Sequence, residues 1–141
     1  MSSQIPLSLA NITEEEILAA TDALRSQELT LGPWTKQFED LVSKHTNNSN
    51  GIATNSGNSA MEIALESLGI ENGHEVLTAS FAFPSTASAI LHIGATPRFV
   101  DCDPRTLNLD AKDVEAKIGE STKAIIATHT FGNPPLYAHI F

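Results

Sequence analysis

Basic residues are scarce in this chain: eight Lys and Arg stand against 17 Asp and Glu, for a formal net charge of −9. So few cations cannot replace the counterions of DNA or RNA, which argues against sequence-independent nucleic-acid binding. The same balance argues against an anionic membrane surface. Any anionic ligand must be held by local backbone N–H groups and not by the overall field. Cysteine is nearly absent. The single Cys102 permits no internal disulfide, so a reducing compartment is expected. In the run FVDCD that thiol has carboxylates beside it, which disfavour the thiolate, so a structural role is expected. Long hydrophobic runs are missing too. The opening MSSQIPLSLANITEEE has no basic segment and no long apolar stretch, so neither a signal peptide nor a membrane-spanning helix is expected there.

Several catalytic signatures are also lacking. There is no GxGxxG, no GxxxxGK[ST], no HExxH and no GxSxG. The five histidines, His45, His74, His92, His129 and His139, show no metal-ligand spacing. His45 and His74 read as surface residues, while His129, at a strand end, keeps a site role open. No metal site is expected.

What is present is a well-mixed globular composition of 141 residues, 41% hydrophobic and 18% charged. Thr13 followed by Glu16 forms a capping box that opens a first helix. Gly32-Pro33 breaks the chain, and Trp34, Phe38, Leu41 and Val42 then mark one face of a second. From Gly51 onward the pattern alternates strand and helix. Strands are expected at Gly51 to Asn55, Glu75 to Ala79, Arg98 to Asp101 and Lys123 to Thr128. Helices are expected at about Asn58 to Leu68, from Pro84 to a stop at Gly94, and from Asp110 to Ile118. Single helices between strands imply βαβ units and a mainly parallel α/β sheet. In such sheets ligands bind at the carboxyl ends of the strands.

That rule marks three places. The first is Asn55-Ser56-Gly57-Asn58-Ser59-Ala60, running from strand to turn to helix. The free N–H groups of a helix N-terminus make a phosphate seat. Gly57 would let a ligand close to the backbone, and Asn58 and Ser59 add side-chain donors. A plain N-cap explains the same residues. The second is Ser80-Phe81-Ala82-Phe83-Pro84, where a ring could cover a flat cofactor. Phe81 reads as core; for Phe83 both readings stay open. The third is Asp101-Cys102-Asp103-Pro104, which reads as a capped turn rather than a metal or ribose site.

Read in order, LTLGPWTKQFE, IATNSGNSAMEIALESLGIENGHEVLTASFAFPSTASAILHIGATPRFVDCDPRTLNLD and STKAIIATHTFGNPP resemble the DegT/StrS-type sugar aminotransferases. The likeness runs from about Leu29 to Pro134. It implies part of a fold type I aminotransferase large domain, with pyridoxal 5'-phosphate as cofactor, nucleotide-linked ketosugars and glutamate as substrates, a homodimer and a cytoplasmic setting. Gly57, Asn58 and Ser59 match the family's phosphate-binding turn. Phe83 matches the aromatic residue that stacks on the pyridine ring. On this likeness the chain divides into a helical segment at 1–28, a partial large domain at 29–134 and a divergent tail at 135–141.

Two departures accompany the likeness. The family usually carries threonine where Asn58 stands; an asparagine amide still donates. The Schiff-base lysine, and the aspartate that pairs with the pyridine nitrogen, follow a region like GNPP in the family. None of Lys36, Lys44, Lys112, Lys117 and Lys123 matches that lysine motif, so no catalytic residue is assigned, and a truncated, inactive chain is expected. A fragment of the family's dehydratase branch and a noncatalytic cofactor-binding or assembly module stand as alternatives. A nicotinamide-dependent oxidoreductase ranks last for want of its glycines. Uncovered helix faces and sheet edges would make the isolated chain poorly soluble or oligomeric.

Overall fold

The computed structural model describes residues 5–6, 8–48 and 50–134. The expected divergent tail and His139 lie outside the described residues. The chain forms two compact units, Met1–Ala53 and Thr54–Phe141.

The first unit contains α1 (Glu14–Ser26) and α2 (Pro33–Thr46). The capping box forms as expected: the Thr13 hydroxyl accepts from the Glu15 N–H at 3.3 Å, and the Thr13 N–H donates to Glu16 Oε2 at 2.6 Å. Helix α2 starts with Gly32 as N-cap and Pro33 in its first turn, where a missing N–H costs nothing. Neither helix buries a residue, and Trp34, Phe38, Leu41 and Val42 lie exposed along α2.

The segment Gly51 to Asn55 is not a strand, contrary to the sequence expectation. Its backbone is committed to α2 instead of to a ladder. The Ala53 N–H donates to Glu39 Oε1 at 2.9 Å, and Gly51 lies so close to α2 that an added Cβ would stand 2.7 Å from the Glu39 carbonyl oxygen. A short apolar run becomes a strand only where a second strand offers its donors and acceptors.

The second unit contains α3 (Gly57–Ser67), β1 (Glu75–Ala79), α4 (Ser85–His92), β2 (Thr96–Val100), α5 (Ala111–Lys117) and β3 (Thr122–Ile126). The strands form a parallel sheet in the order β2-β1-β3, with Leu77 opposite Arg98 on one side and Ile125 on the other. Strand β1 is central and nearly all buried, whereas β2 and β3 are the edges among the described residues. Alternation along β1 splits the core into two layers. Val76 packs with Leu65, Ile70, Ile90 and Ala95 of the α3/α4 side. Leu77 and Ala79 pack with Val100, Leu109 and Val114 of the α5 side. Gly94 ends the α4 connection at φ 82°, a left-handed conformation that glycine adopts without a Cβ penalty. Each connecting helix returns the chain to the amino end of the next strand. The loops that follow β1, β2 and β3 therefore gather at one edge of the sheet.

Candidate functional site

Helix α3 begins at Gly57 because Ser56 caps it. The Ser56 hydroxyl accepts from the Ser59 N–H at 3.1 Å, and the Ser56 carbonyl accepts from the Ala60 N–H at 3.1 Å. That leaves the N–H groups of Gly57 and Asn58 without a partner among the described residues. Two unpaired donors at a helix start carry the positive end of the helix dipole. Nothing stands within 4 Å of a Cβ built on Gly57, so the turn is open on that side. Ser59 Oγ lies 3.1 Å from Ser56 Oγ, so the two hydroxyls share a hydrogen bond beside the free N–H groups.

The Asn58 side chain departs from a simple donor at the turn. Its Nδ2 donates along the helix to Glu62 Oε1, the same oxygen that lies 2.7 Å from His92 Nδ1 on α4. One amide hydrogen of Asn58 remains for a ligand. Glu62 and His92 were not marked by sequence. The signal available was the i, i+4 spacing of Asn58 and Glu62 on one helix face.

Phe83 is 79% exposed, so it is not core. Phe81 was expected in the core and is 47% exposed. Strand β1 ends at Ala79, both core layers are already closed by aliphatic side chains, and the Phe81 ring leans on Phe131 with centroids 6.4 Å apart. Exposed aromatic rings thus flank the carboxyl end of β1.

The third place is the capped turn the sequence suggested. Asp101 Oδ1 accepts from the Cys102 N–H at 2.8 Å, and Asp103 Oδ1 accepts from the Arg105 N–H at 2.7 Å. Cys102 is half-buried and bridges Leu109 in an antiparallel pair. Hydrogen bonds from the Arg105 side chain and backbone hold the Asp103 carboxyl down at about 2, below its ordinary 3.8. A carboxylate depressed in the folded state stabilises above its ordinary range, and the contribution fades as pH falls from about 3.8 toward about 2. In Arg105→Gln, the Asp103 carboxyl followed by NMR should titrate higher, part of the way back toward the ordinary aspartate range, because the backbone N–H bond to it remains. An unchanged midpoint would mean that the turn backbone alone sets it.

A groove of about 470 Å³ runs beside this turn, lined by Asp103, Arg105, Asn108, Lys112 and Glu115 among others. It contains none of Gly57, Asn58, Ser59 or Phe83, and its charges are of both signs. Among the described residues no group of three or more His, Cys, Asp and Glu side chains could hold a metal ion, and no helix is long and apolar enough to cross a membrane.

The arrangement is an open helix start at α3, with two N–H groups unpaired among the described residues, and exposed rings at the sheet edge. Comparison with known proteins gives it a family. The model of the DegT/DnrJ/EryC1/StrS aminotransferase family matches residues 10–138. The chain belongs to this aminotransferase family. It is 41% identical over 128 residues to the spore coat polysaccharide biosynthesis protein SpsC of Bacillus subtilis (strain 168), covering 91% of this chain and 33% of that protein. Among solved structures it is similar to the PLP form of Spr1654 from Streptococcus pneumoniae, assigned as a sugar aminotransferase. That match has a TM-score of 0.91 and 36% identity, over 97% of this chain and 35% of that one. The sugar aminotransferase CalS13 from Micromonospora echinospora matches with a TM-score of 0.87 and 32% identity, over 97% of this chain and 37% of that one. The chain thus spans about a third of the length of these relatives. As a DegT-family member it has the fold type I class of the pyridoxal-phosphate-dependent aminotransferases, and its parallel sheet with flanking helices is part of that architecture.

Proposed function

We propose that the chain is the cofactor-phosphate-binding part of a pyridoxal-phosphate-dependent aminotransferase. Its substrates would be a nucleotide-linked ketosugar and glutamate, and it would act as a homodimer in the cytoplasm. The observation that carries this reading is the pair of N–H groups at Gly57 and Asn58, which have no partner among the described residues, on the open first turn of α3. A phosphate has the charge and the acceptor oxygens that such a turn lacks. The Ser59 hydroxyl and the spare Asn58 amide hydrogen add donors. Phe83, exposed after β1, presents a flat apolar face for a planar ring. Backbone donors also resolve the charge problem, since an acidic chain holds an anion here without a basic patch.

When bound, pyridoxal phosphate supplies the electron sink for amino transfer. This chain's part is to bind and orient. Three of its lysines are engaged in structural contacts: Lys36 pairs with Asp40 on α2, Lys117 Nζ donates to the Phe99 carbonyl and to Asp113, and Lys123 Nζ donates to the Glu120 carbonyl at the amino end of β3, while neither Lys44 nor Lys112 stands in the family's lysine motif. Turnover is therefore assigned to a polypeptide that includes the family's lysine motif.

The test has two parts. The chain titrated with pyridoxal phosphate should show saturable binding that inorganic phosphate competes away. Absence of binding, or binding indifferent to phosphate, would remove the seat from α3. The coding sequence read through and past codon 141, expressed with whatever follows, should then aminate a nucleotide-linked ketosugar from glutamate. Cofactor binding without any such extended product would favour a noncatalytic binding module.

A further inference from the structure

The loops after β2 and β3 are tied together by one buried side chain. Asn108 is 3% exposed. Its Oδ1 accepts from the Thr130 N–H at 3.0 Å, and its Nδ2 donates to the Asn133 carbonyl at 2.9 Å. One amide thus brackets the short turn Thr130–Gly132 from both ends. The Thr130 hydroxyl returns the link, donating to the Leu107 carbonyl at 3.2 Å. The sheet order is β2-β1-β3, so these bonds reach across the carboxyl end of β1, the strand between the two loops.

Both tied loops hold a residue in the left-handed region. Leu107 has φ 60°, and Phe131 has φ 55° with ψ 27°. For residues with a Cβ, such a conformation is strained and persists only where the surroundings over-determine it. Here the surroundings are the hydrogen bonds of Asn108 and Thr130. Their consequence is local: the turn places the Phe131 ring against Phe81, two residues before Phe83.

We propose that Asn108 is a positioning residue, whose buried amide locks the Thr130–Gly132 turn so that Phe131 braces Phe81 and sets the aromatic wall beside Phe83. The part concerning the cofactor rests on the reading of Phe83 given above; the part concerning Phe131 does not.

The two parts are tested separately in the whole chain. In Asn108→Ala the Thr130 amide should exchange with solvent roughly tenfold faster than before, as one lost hydrogen bond implies, while β1 amides change little. The ring-to-ring nuclear Overhauser contact between Phe81 and Phe131 should disappear. Asn108→Asp keeps the acceptor for Thr130 and loses the donor to Asn133, so it should preserve Thr130 protection and still weaken the ring contact. It serves as the second variant if alanine unfolds the chain. With pyridoxal phosphate added, Asn108→Ala and Phe131→Ala should change the induced circular dichroism of the cofactor alike. Retention of the ring contact in both Asn108 variants would overturn the positioning role. Loss of the contact with an unchanged cofactor spectrum would overturn its link to the cofactor. Failure of the wild-type chain to bind the cofactor would count against the proposed function alone, because the ring contact still decides the role of Asn108.

Discussion

Truncation of Leu77 to alanine should cost about 2–5 kcal/mol of stability, the usual range for a fully buried leucine. Leu77 is fully buried on the central strand. Its layer holds Ala79, Val100, Leu109 and Val114, with Ile125 packed against it. Those side chains come from all three strands, the loop after β2 and α5, so no single element can shift to fill the space. Domains are stable by only about 5–15 kcal/mol, so this loss is a large share of the total. Urea denaturation gives the measurement, as a shift in midpoint at constant slope. Leu91→Ala is the control: Leu91 is exposed on α4, and its loss should stay within about 0.5 kcal/mol. Equal midpoints for the two variants would contradict the two-layer core.

Substitution of Gly57 by valine should separate binding from folding. The backbone there is not left-handed, and a Cβ meets nothing within 4 Å. Folding has no reason to suffer, and a helix position gains when glycine is replaced. The ligand does have a reason. The open side of the turn is where a phosphate would approach the free N–H groups of Gly57 and Asn58, and a branched side chain occupies that space. Pyridoxal phosphate should bind about 10–100-fold more weakly, equivalent to roughly 1.4–2.8 kcal/mol, with the denaturation midpoint unchanged or slightly raised. If affinity and stability fall together, the glycine is structural. If affinity stays the same, the phosphate sits elsewhere.

What is legible in the sequence follows the range of the forces involved. The capping box at Thr13 and Glu16, the start of α3 after Ser56, and the stop at Gly94 were readable because their partners lie within a few residues. Strand β1 was readable to its end residues because it is central and buried on both faces, which leaves a run of apolar residues in the chain. The parallel sheet followed from the order of elements alone.

The failures have a common cause. Gly51 to Asn55 looked like a strand, but strand formation needs a second chain segment, and Glu39 of α2 took the Ala53 N–H instead. Phe81 looked like core because it is large and apolar. Its burial depended on where β1 stopped and on whether the core layers were already full.

By itself, the sequence determined the family, the α/β alternation and the cap-and-turn geometry at the start of α3, since each depends on residue order or on neighbours in the chain. Only the tertiary structure decided that Asn58 spends an amide hydrogen on Glu62, that His92 joins the same carboxylate, and that Asn108 ties two loops across β1. The last two features rest on three bonds, between residues 30, 22 and 25 positions apart, while the Asn58 bond was one rotamer choice among several. A hydrogen bond is set by distance in space, and the folded backbone alone brings such groups within reach.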